Sequence, residues 1–289
     1  MRYSFFKTSL KKLIIESTKF FLLLYCKYII LIAISQQNLY NHFMQKLLSL
    51  ARKAISDYDM IQDGDKIAVG LSGGKDSITL LAVLANYRKF SPQKFDLVAI
   101  NIDLGFSDTN KQEVDMCREF CKSLDVPFIV EKTDIAQIIF EERKEKSPCS
   151  LCSKMRRGAL NTVAIANGCN KLALGHHADD VAETLMLSLI YEGRFSTFMP
   201  ISHMDRSGMT LIRPLIYIEE KQINWTYKRL GLPIIHNVCP QDKHTKREDM
   251  KELIKRLDED FPDAKKHILS AIFNPERNSL WDKAKPVKK

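Results

Sequence analysis

Short apolar runs alternate with segments of helical periodicity along most of the chain. The apolar runs predict five β-strands, at residues 66–71, 95–103, 127–131, 171–176 and 210–213. Between and after them, apolar residues recur every three to four positions, which predicts helices at 44–58, 75–89, 108–124, 133–142, 153–167, 179–191, 218–230, 246–259 and 262–272. This alternation indicates an α/β fold: a doubly wound, mostly parallel five-stranded sheet with helices on both faces and extra C-terminal helices.

One polar segment interrupts the alternation at residues 193–209. It contains Gly193, Pro200 and Gly208 and no clear hydrophobic period. These features favour a mobile surface loop.

The N-terminal 43 residues differ from the rest of the chain. Their apolar run, residues 20–35, is interrupted by Lys27, whereas a membrane-spanning helix needs about 20 uncharged residues. A signal peptide is an alternative because lysines precede the run, but no small-x-small cleavage site follows it. Met44 opens a helical pattern that leads into the first strand. We therefore favour Met44 as the physiological start of the protein, with residues 1–43 as an upstream extension. One domain at 44–275 and a basic tail at 276–289 follow.

Charge and cysteine content narrow the function classes only slightly. The net charge is +9, and residues 1–43 hold six Lys or Arg and one acid, a net of +5, so the rest of the chain carries +4. That mild basicity is compatible with a nucleic-acid partner and equally with a lysine-rich surface.

The seven cysteines contain only one C-x-x-C pair, which favours a reducing cytoplasm and a metal or redox role over structural disulfides.

The first predicted strand ends in a glycine turn that opens a helix. Backbone N–H groups at such a turn, the helix N-terminus and the charge of Lys75 together predict a phosphate site. A Walker P-loop does not fit, because Gly70 and Gly74 are one residue too close and Asp76 replaces the Ser or Thr that would hold magnesium. The stretch resembles the SGGxDS loop of enzymes that cleave ATP between the α and β phosphates. Its predicted nucleotide-binding residues are Gly70, Ser72, Gly73, Gly74, Lys75, Asp76 and Ser77.

Polar residues also follow two other predicted strands, at Asp103 and at the segment 175–180, Gly-His-His-Ala-Asp-Asp. Ligands of parallel sheets bind past the carboxyl ends of the strands, at the switch point of the strand order. Carboxylates there can hold magnesium or transfer protons, although Asp179 and Asp180 could also simply cap a helix. His176 and His177 could be hydrogen-bond donors, nucleotide contacts or packing residues.

Three cysteines form the third group. Cys149 and Cys152 are a C-x-x-C pair, which alone suits half of a zinc site or a redox pair. With Cys239 they make three thiolates from distant segments, which suit an iron–sulfur cluster with one unligated iron. Cys117 and Cys121 lie four apart on one helical face and are better explained as core residues.

Taken in order, these motifs and the triplet 156–158, Arg-Arg-Gly, resemble the TtcA family of tRNA 2-thiocytidine synthetases over about residues 44–275. The resemblance implies a HUP-like PP-loop ATPase domain that adenylates O2 of cytidine 32 in a tRNA anticodon loop and replaces it with sulfur. It implies a [4Fe-4S] cluster on Cys149, Cys152 and Cys239 that carries the sulfur, together with ATP and Mg²⁺. It further implies catalytic Lys75, Asp76 and Asp180, and a nucleotide site completed by Asp103, Arg156, Gly175 and His176.

The implied partners are tRNA and a sulfur donor such as a cysteine desulfurase, in the cytoplasm, with no membrane and with a homodimer as an option. Lys154, Arg156, Arg157 and the segment 243–247 are candidate contacts to the RNA backbone. Relatives that thiolate other tRNA positions carry paired zinc-binding C-x-x-C motifs, and this sequence lacks them. Two alternatives leave the cysteines unexplained: a tRNA(Ile)-lysidine synthetase-like ligase and a non-catalytic nucleotide-binding protein.

Overall fold

The computed structural model describes residues 44–106, 111–143, 148–205, 207–235, 239, 246–277 and 279. Of the described residues, all but 44–46 belong to one compact unit, Leu47–Lys289. The predicted N-terminal extension, residues 1–43, and most of the basic tail lie outside the described residues.

Six strands and nine α-helices make up the described part of the fold. The strands are β1 (Lys66–Gly70), β2 (Asp96–Asp103), β3 (Phe128–Lys132), β4 (Lys171–Ala173), β5 (Ile201–Met204) and β6 (Met209–Ile212). The helices are α1 (described over 44–57), α2 (Lys75–Arg88), α3 (Lys111–Ser123), α4 (Ile135–Gln137), α5 (Pro148–Ala166), α6 (Ala178–Glu192), α7 (Glu220–Leu230), α8 (Lys246–Asp260) and α9 (Ala264–Phe273).

The strands form one sheet in the order β3-β2-β1-β4-β6-β5. All neighbours are parallel except β5 and β6. The chain builds outward from β1 to β3 and then returns to place β4 on the other side of β1. The strand order therefore reverses between β1 and β4, and a ligand crevice forms where their carboxyl ends diverge. The predicted α/β class and all five predicted strands are confirmed.

One strand was missed. Strand β5 lies within the segment predicted as a mobile loop and pairs antiparallel with β6, from Ile201 opposite Ile212 to Met204 opposite Met209. The loop prediction is therefore wrong for residues 201–204 and for Met209, where β6 begins. As the edge of the sheet, β5 has a partner on one side only and its side chains are only partly buried, so it does not need the apolar run that marks a central strand.

Helix α5 begins earlier than predicted. It starts at Pro148 rather than residue 153, because proline suits the first helical position, where its missing N–H costs nothing. Cys149 and Cys152 consequently lie in the first turn of a helix, three positions apart on one face. The predicted helix at 133–142 is instead the short α4 followed by a π-helical turn at Ile138–Glu142.

Helix α2 anchors the glycine turn to the core. Ile78, Leu80, Leu81 and Leu84 are fully buried, and the other residues between 77 and 85 are buried as well. A helix that is apolar on all sides packs in the interior, here against the sheet and α7. The turn that precedes it therefore starts from a rigid platform. Within the described ranges, no helix is long and apolar enough to cross a membrane.

Candidate active site

The glycine turn between β1 and α2 is held by two serine side chains. The backbone N–H of Ser72 donates to Ser77 Oγ at 3.1 Å, and the two hydroxyl oxygens lie 3.0 Å apart. Ser77 Oγ in turn donates to the carbonyl of Gly74 at 2.9 Å, and the N–H of Gly74 donates to Ser72 Oγ at 3.3 Å. The turn is therefore closed on itself before any ligand binds, which lowers the entropy that binding must remove.

The second loop, between β4 and α6, touches the first. A Cβ atom at Gly175 would lie 3.0 Å from the backbone carbon and oxygen of Asp76 and 3.1 Å from the nitrogen of Ser77. Only glycine permits this approach, which explains the residue at the start of the 175–180 motif. His177 caps α6, and its backbone N–H donates to Asp180 Oδ2 at 2.9 Å.

His177 is buried among the carboxylates of both loops. Its Nε2 lies 3.8 Å from Asp76 Oδ1 and 3.5 Å from Asp180 Oδ2, while its Nδ1 lies 3.7 Å from Asp179 Oδ2. The ring thus connects the first turn of α2 with the start of α6 at the switch point. Asp180 also receives the guanidinium of Arg247 from α8 at 3.0 Å.

Lys75 points toward helix α7. Its Nζ lies 3.0 Å from Glu220 Oε1 and 3.2 Å from Asp76 Oδ1. Burial alone would lower the pKa of Lys75, but the two carboxylates outweigh it and raise the pKa, so the side chain is a cation. Burial likewise opposes ionisation of Glu220, yet Lys251 and Lys75 together lower its pKa to about 2.

A cavity of about 480 Å³ joins the two loops to the N-terminus of α5. Cys149 is exposed at its wall, whereas Cys152 and Cys239 are half-buried there. Burial raises the pKa of the Cys152 thiol, the positive charge of Arg156 opposes that rise, and the other two thiols reinforce it. The three cysteines therefore share one electrostatic environment in the wall of the cavity that the glycine turn also lines.

The structure brings most of the predicted site residues to this one cavity. Its wall includes Gly70, Ser72, Asp76, Ser77, Cys149, Cys152, Arg156, Gly175, His176, Asp180 and Cys239. Four predicted residues are not part of that wall as described: Gly73 and Gly74 form the back of the turn, Lys75 faces Glu220, and Asp103 accepts a hydrogen bond from the N–H of Gly105 at 3.1 Å. The roles assigned to all of these residues stay predictions.

Two residues of the site region escaped the sequence analysis. Arg213 follows β6 directly and contacts His176, and Glu220 opens α7 and contacts Lys75. The rule that ligand sites lie past the carboxyl ends of strands could have identified Arg213. Arg247, which we predicted as a candidate RNA contact, is paired within the protein with Asp180 and Glu183.

Glu183 on α6 provides a pH-dependent test of this charge cluster. Burial and the charge of Asp180 raise its pKa from 4.5 to about 7, although Arg247, 3.5 Å away, opposes them. Between these two pH values the folded protein holds a proton that the unfolded chain has released, so the unfolding free energy falls as pH rises. We expect the stability of Glu183→Gln relative to wild type to increase from pH 5 to pH 8 in urea denaturation. A stability difference that is independent of pH would contradict the raised pKa.

Comparison with known proteins agrees with this geometry. The PP-loop domain family matches residues 39–257. The tRNA-cytidine(32) 2-sulfurtransferase of Pelobacter propionicus is 40% identical over 241 residues, 82% of this chain and 88% of that protein. The enzyme of the same name from Citrifermentans bemidjiense is 40% identical over 234 residues, 80% and 91% of the two chains.

A solved structure is similar over nearly the same length. It is the U34-tRNA thiolase NcsA from Methanococcus maripaludis with its [4Fe-4S] cluster, at 27% identity and a TM-score of 0.67, covering 84% of this chain and 82% of that one. Family, relatives and fold therefore point to one group of enzymes, as the order of the motifs predicts. The chain belongs to the PP-loop family and, within it, to the tRNA-cytidine(32) 2-sulfurtransferases.

Proposed function

We propose that this protein replaces O2 of cytidine 32 in tRNA with sulfur in an ATP-dependent reaction. The observation that carries the proposal is one cavity whose wall includes both PP-loop residues and the three cysteines Cys149, Cys152 and Cys239. Activation by ATP and delivery of sulfur must meet at the same base, because the activated carbon is exposed to water until sulfur reaches it.

The first half of the reaction belongs to the PP-loop. Cytidine O2 attacks the α-phosphorus of ATP, a P–O bond forms, and the bond to pyrophosphate breaks. The backbone N–H groups of the turn that do not donate within it hold the phosphates together with the N-terminus of α2, since those of Ser72 and Gly74 already donate to serine hydroxyls. Lys75 joins them by exchanging Glu220, 3.0 Å away, for a phosphate oxygen, and stabilises the charge that develops on pyrophosphate. The carboxylates of Asp76 and Asp180 are of the type that Mg²⁺ prefers.

The second half substitutes sulfur for the adenylated oxygen. A reduced sulfur atom bonds to C2, the C2–O bond breaks, and AMP leaves with the oxygen. The solved structure of NcsA contains a [4Fe-4S] cluster. The three thiols of this cavity fit the donor set of such a cluster, which when bound supplies an iron site for sulfur delivery. Arg156 favours the thiolate form of Cys152. Within the described residues, no three His, Cys, Asp or Glu side chains form a preassembled metal site.

The substrate must enter the cavity as an unstacked base, which is easier in an anticodon loop than in a duplex. Arg156 and Arg157 line the cavity wall beside the cysteines and are suitably placed for the RNA backbone. We further propose that a donor such as a cysteine desulfurase supplies the sulfur, in the cytoplasm, where thiols stay reduced.

The reaction can be tested with purified components. Protein isolated without oxygen is incubated with an unmodified tRNA transcript, ATP and sulfide, and nucleosides and RNA fragments are analysed by mass spectrometry. We expect 2-thiocytidine at position 32, with AMP and pyrophosphate released in equal amounts, and no product from a transcript with uridine at that position. Formation of lysidine when lysine replaces sulfide would assign the chain to the ligase alternative instead.

A further inference from the structure

We propose that Arg213 is a positioning residue that fixes His176 as a neutral Nε2–H donor at the cavity. The inference deepens the proposed function and rests on it for the identity of the reaction. The two side chains meet at the carboxyl ends of β4 and β6, beside the PP-loop. Arg213 is buried and exposes only 6% of its surface, so its charge is committed to specific partners.

The guanidinium of Arg213 is held in one orientation by three acceptors. Its Nη1 donates to Ser202 Oγ at 3.2 Å and to the carbonyl of Met199. Its Nε donates to His176 Nδ1 at 3.3 Å. Ser202 lies on β5 and Met199 on the segment that precedes it, so the hairpin that the sequence left without a role aims the guanidinium at His176.

An aromatic ring supports the same arrangement from the side. The guanidinium carbon of Arg213 lies 4.9 Å from the centre of the Phe198 ring, and the His176 ring centre lies 5.0 Å from it. Phe198 therefore holds Arg213 by cation–π attraction and His176 by ring packing. A tilt of the imidazole out of its plane would weaken the contact with Phe198, and a flip about its Cβ–Cγ bond would break the hydrogen bond to Arg213.

The hydrogen bond decides which ring nitrogen carries the proton. A guanidinium has only donors, so Nδ1 of His176 must accept. Burial lowers the pKa of His176 to about 4, because it and the positive charge of Arg213 outweigh the opposing charge of Asp180. The ring is therefore neutral at pH 7 and, with Nδ1 accepting, carries its one proton on Nε2. Burial, reinforced by Arg157, lowers the pKa of Arg213 only to about 10, so the donor keeps its charge.

The consequence is a fixed donor on the cavity wall. His176 lines the cavity with Asp76 and Asp180, and with Nδ1 occupied it offers Nε2–H to an acceptor oxygen of the reacting substrate, either phosphate or carbonyl. A ring in the opposite tautomer would present a lone pair to the same electron-rich oxygen and repel it. Arg213 therefore acts on the reaction through His176 without contacting the substrate.

The tautomer can be read without the reaction. The full-length protein, labelled with ¹⁵N-histidine, is compared with Arg213→Met by NMR, and the His176 signal is identified by its loss in His176→Asn. We expect the Nε2–H pattern alone in wild type and a mixture of both tautomers in Arg213→Met. An unchanged His176 pattern in folded Arg213→Met would overturn the proposal, whether or not the protein thiolates tRNA.

Kinetics test the second step of the argument. Arg213→Met should lower kcat for tRNA thiolation roughly ten- to hundredfold, as expected for loss of a charge-assisted hydrogen bond, with a smaller change in KM. In a His176→Asn background the same substitution should cost less than about threefold, because the two residues act as one unit. If Arg213→Met again lowers kcat ten- to hundredfold in that background, Arg213 has a role that is independent of His176, which would contradict the proposal.

Two further variants keep the test decisive. Arg229→Met is the matched control, since Arg229 also lies over an aromatic ring, that of Trp225, but on the exposed surface of α7. It should leave the His176 signal and kcat unchanged.

If Arg213→Met fails to fold, Ser202→Ala is the alternative variant. It removes one acceptor of Arg213 and should shift the tautomer and kcat in the same direction, but by less. A folded Ser202→Ala with neither change would then overturn the proposal.

Discussion

Serine in place of Cys149, Cys152 or Cys239 is expected to lower tRNA thiolation about a thousandfold or more, equivalent to about 4 kcal/mol of transition-state stabilisation. The three thiols line the same cavity as the PP-loop but belong to other segments of the chain, so sulfur delivery should fail while ATP-dependent release of pyrophosphate persists. A serine hydroxyl cannot replace a thiolate, because thiolates are the soft ligands that iron–sulfur clusters require. Iron content, visible absorption, pyrophosphate release and 2-thiocytidine formation are measured on the same anaerobic preparation.

Cys169→Ala is the control for loss of a thiol as such. Cys169 is buried in the core cluster after α5, and burial raises its pKa, so it serves as a small hydrophobic residue rather than a ligand. This variant should keep its iron and its thiolation activity. A colourless, iron-free Cys152→Ser enzyme with full thiolation activity would refute the division of labour between the PP-loop and the three cysteines.

The sequence predicts the central part of this fold well because local signals and the long-range arrangement agree there. Strands β1 and β4 are short buried runs, each followed by a glycine-containing motif, and both motifs lie at the switch point where a parallel sheet binds its ligands. The prediction fails at β5, where an edge strand pairs on one side only. It also fails at Pro148, where a helix start was placed after the cysteines instead of before them.

The ion pairs that link α8 and α9 to the starts of α7 and α6 could not be predicted from the sequence, for a different reason. Helices α8 and α9 were predicted, but their packing partners lie far away along the chain. Lys251 of α8 pairs with Glu220 at 2.9 Å, and Lys265 of α9 pairs with Asp179 at 2.8 Å. These cations neutralise acids at the N-termini of α6 and α7, and only three-dimensional contact selects the pairs. The same network holds Glu220, the partner that we propose Lys75 exchanges for phosphate.

Alanine in place of Gly73 is expected to destabilise the protein by about 2–6 kcal/mol and to abolish ATP-dependent activity, because positive φ and overpacking each cost about 1–3 kcal/mol. Gly73 has a φ of +83°, and a Cβ atom there would lie 2.5 Å from Cβ of Ile235. Ile235 cannot simply move away, since its backbone N–H donates to the carbonyl of Gly73 at 2.9 Å. Relief of the clash therefore requires the PP-loop and the segment after α7 to separate, which displaces the N–H groups that hold phosphate.

Gly74→Ala is the adjacent comparison. Gly74 has a φ of −73°, and a Cβ atom there would have Ser72 Oγ at 3.5 Å as its nearest neighbour, an ordinary contact. The unfolding free energy of this variant should stay within about 1 kcal/mol of wild type, the usual range where an alanine can adopt the native backbone. Urea denaturation of both variants separates backbone strain from loss of binding, and pyrophosphate release then reports the nucleotide site. Equal stability of the two variants would show that the turn does not depend on the positive φ of Gly73. The proposal that a rigid PP-loop holds the phosphates would then have to be abandoned.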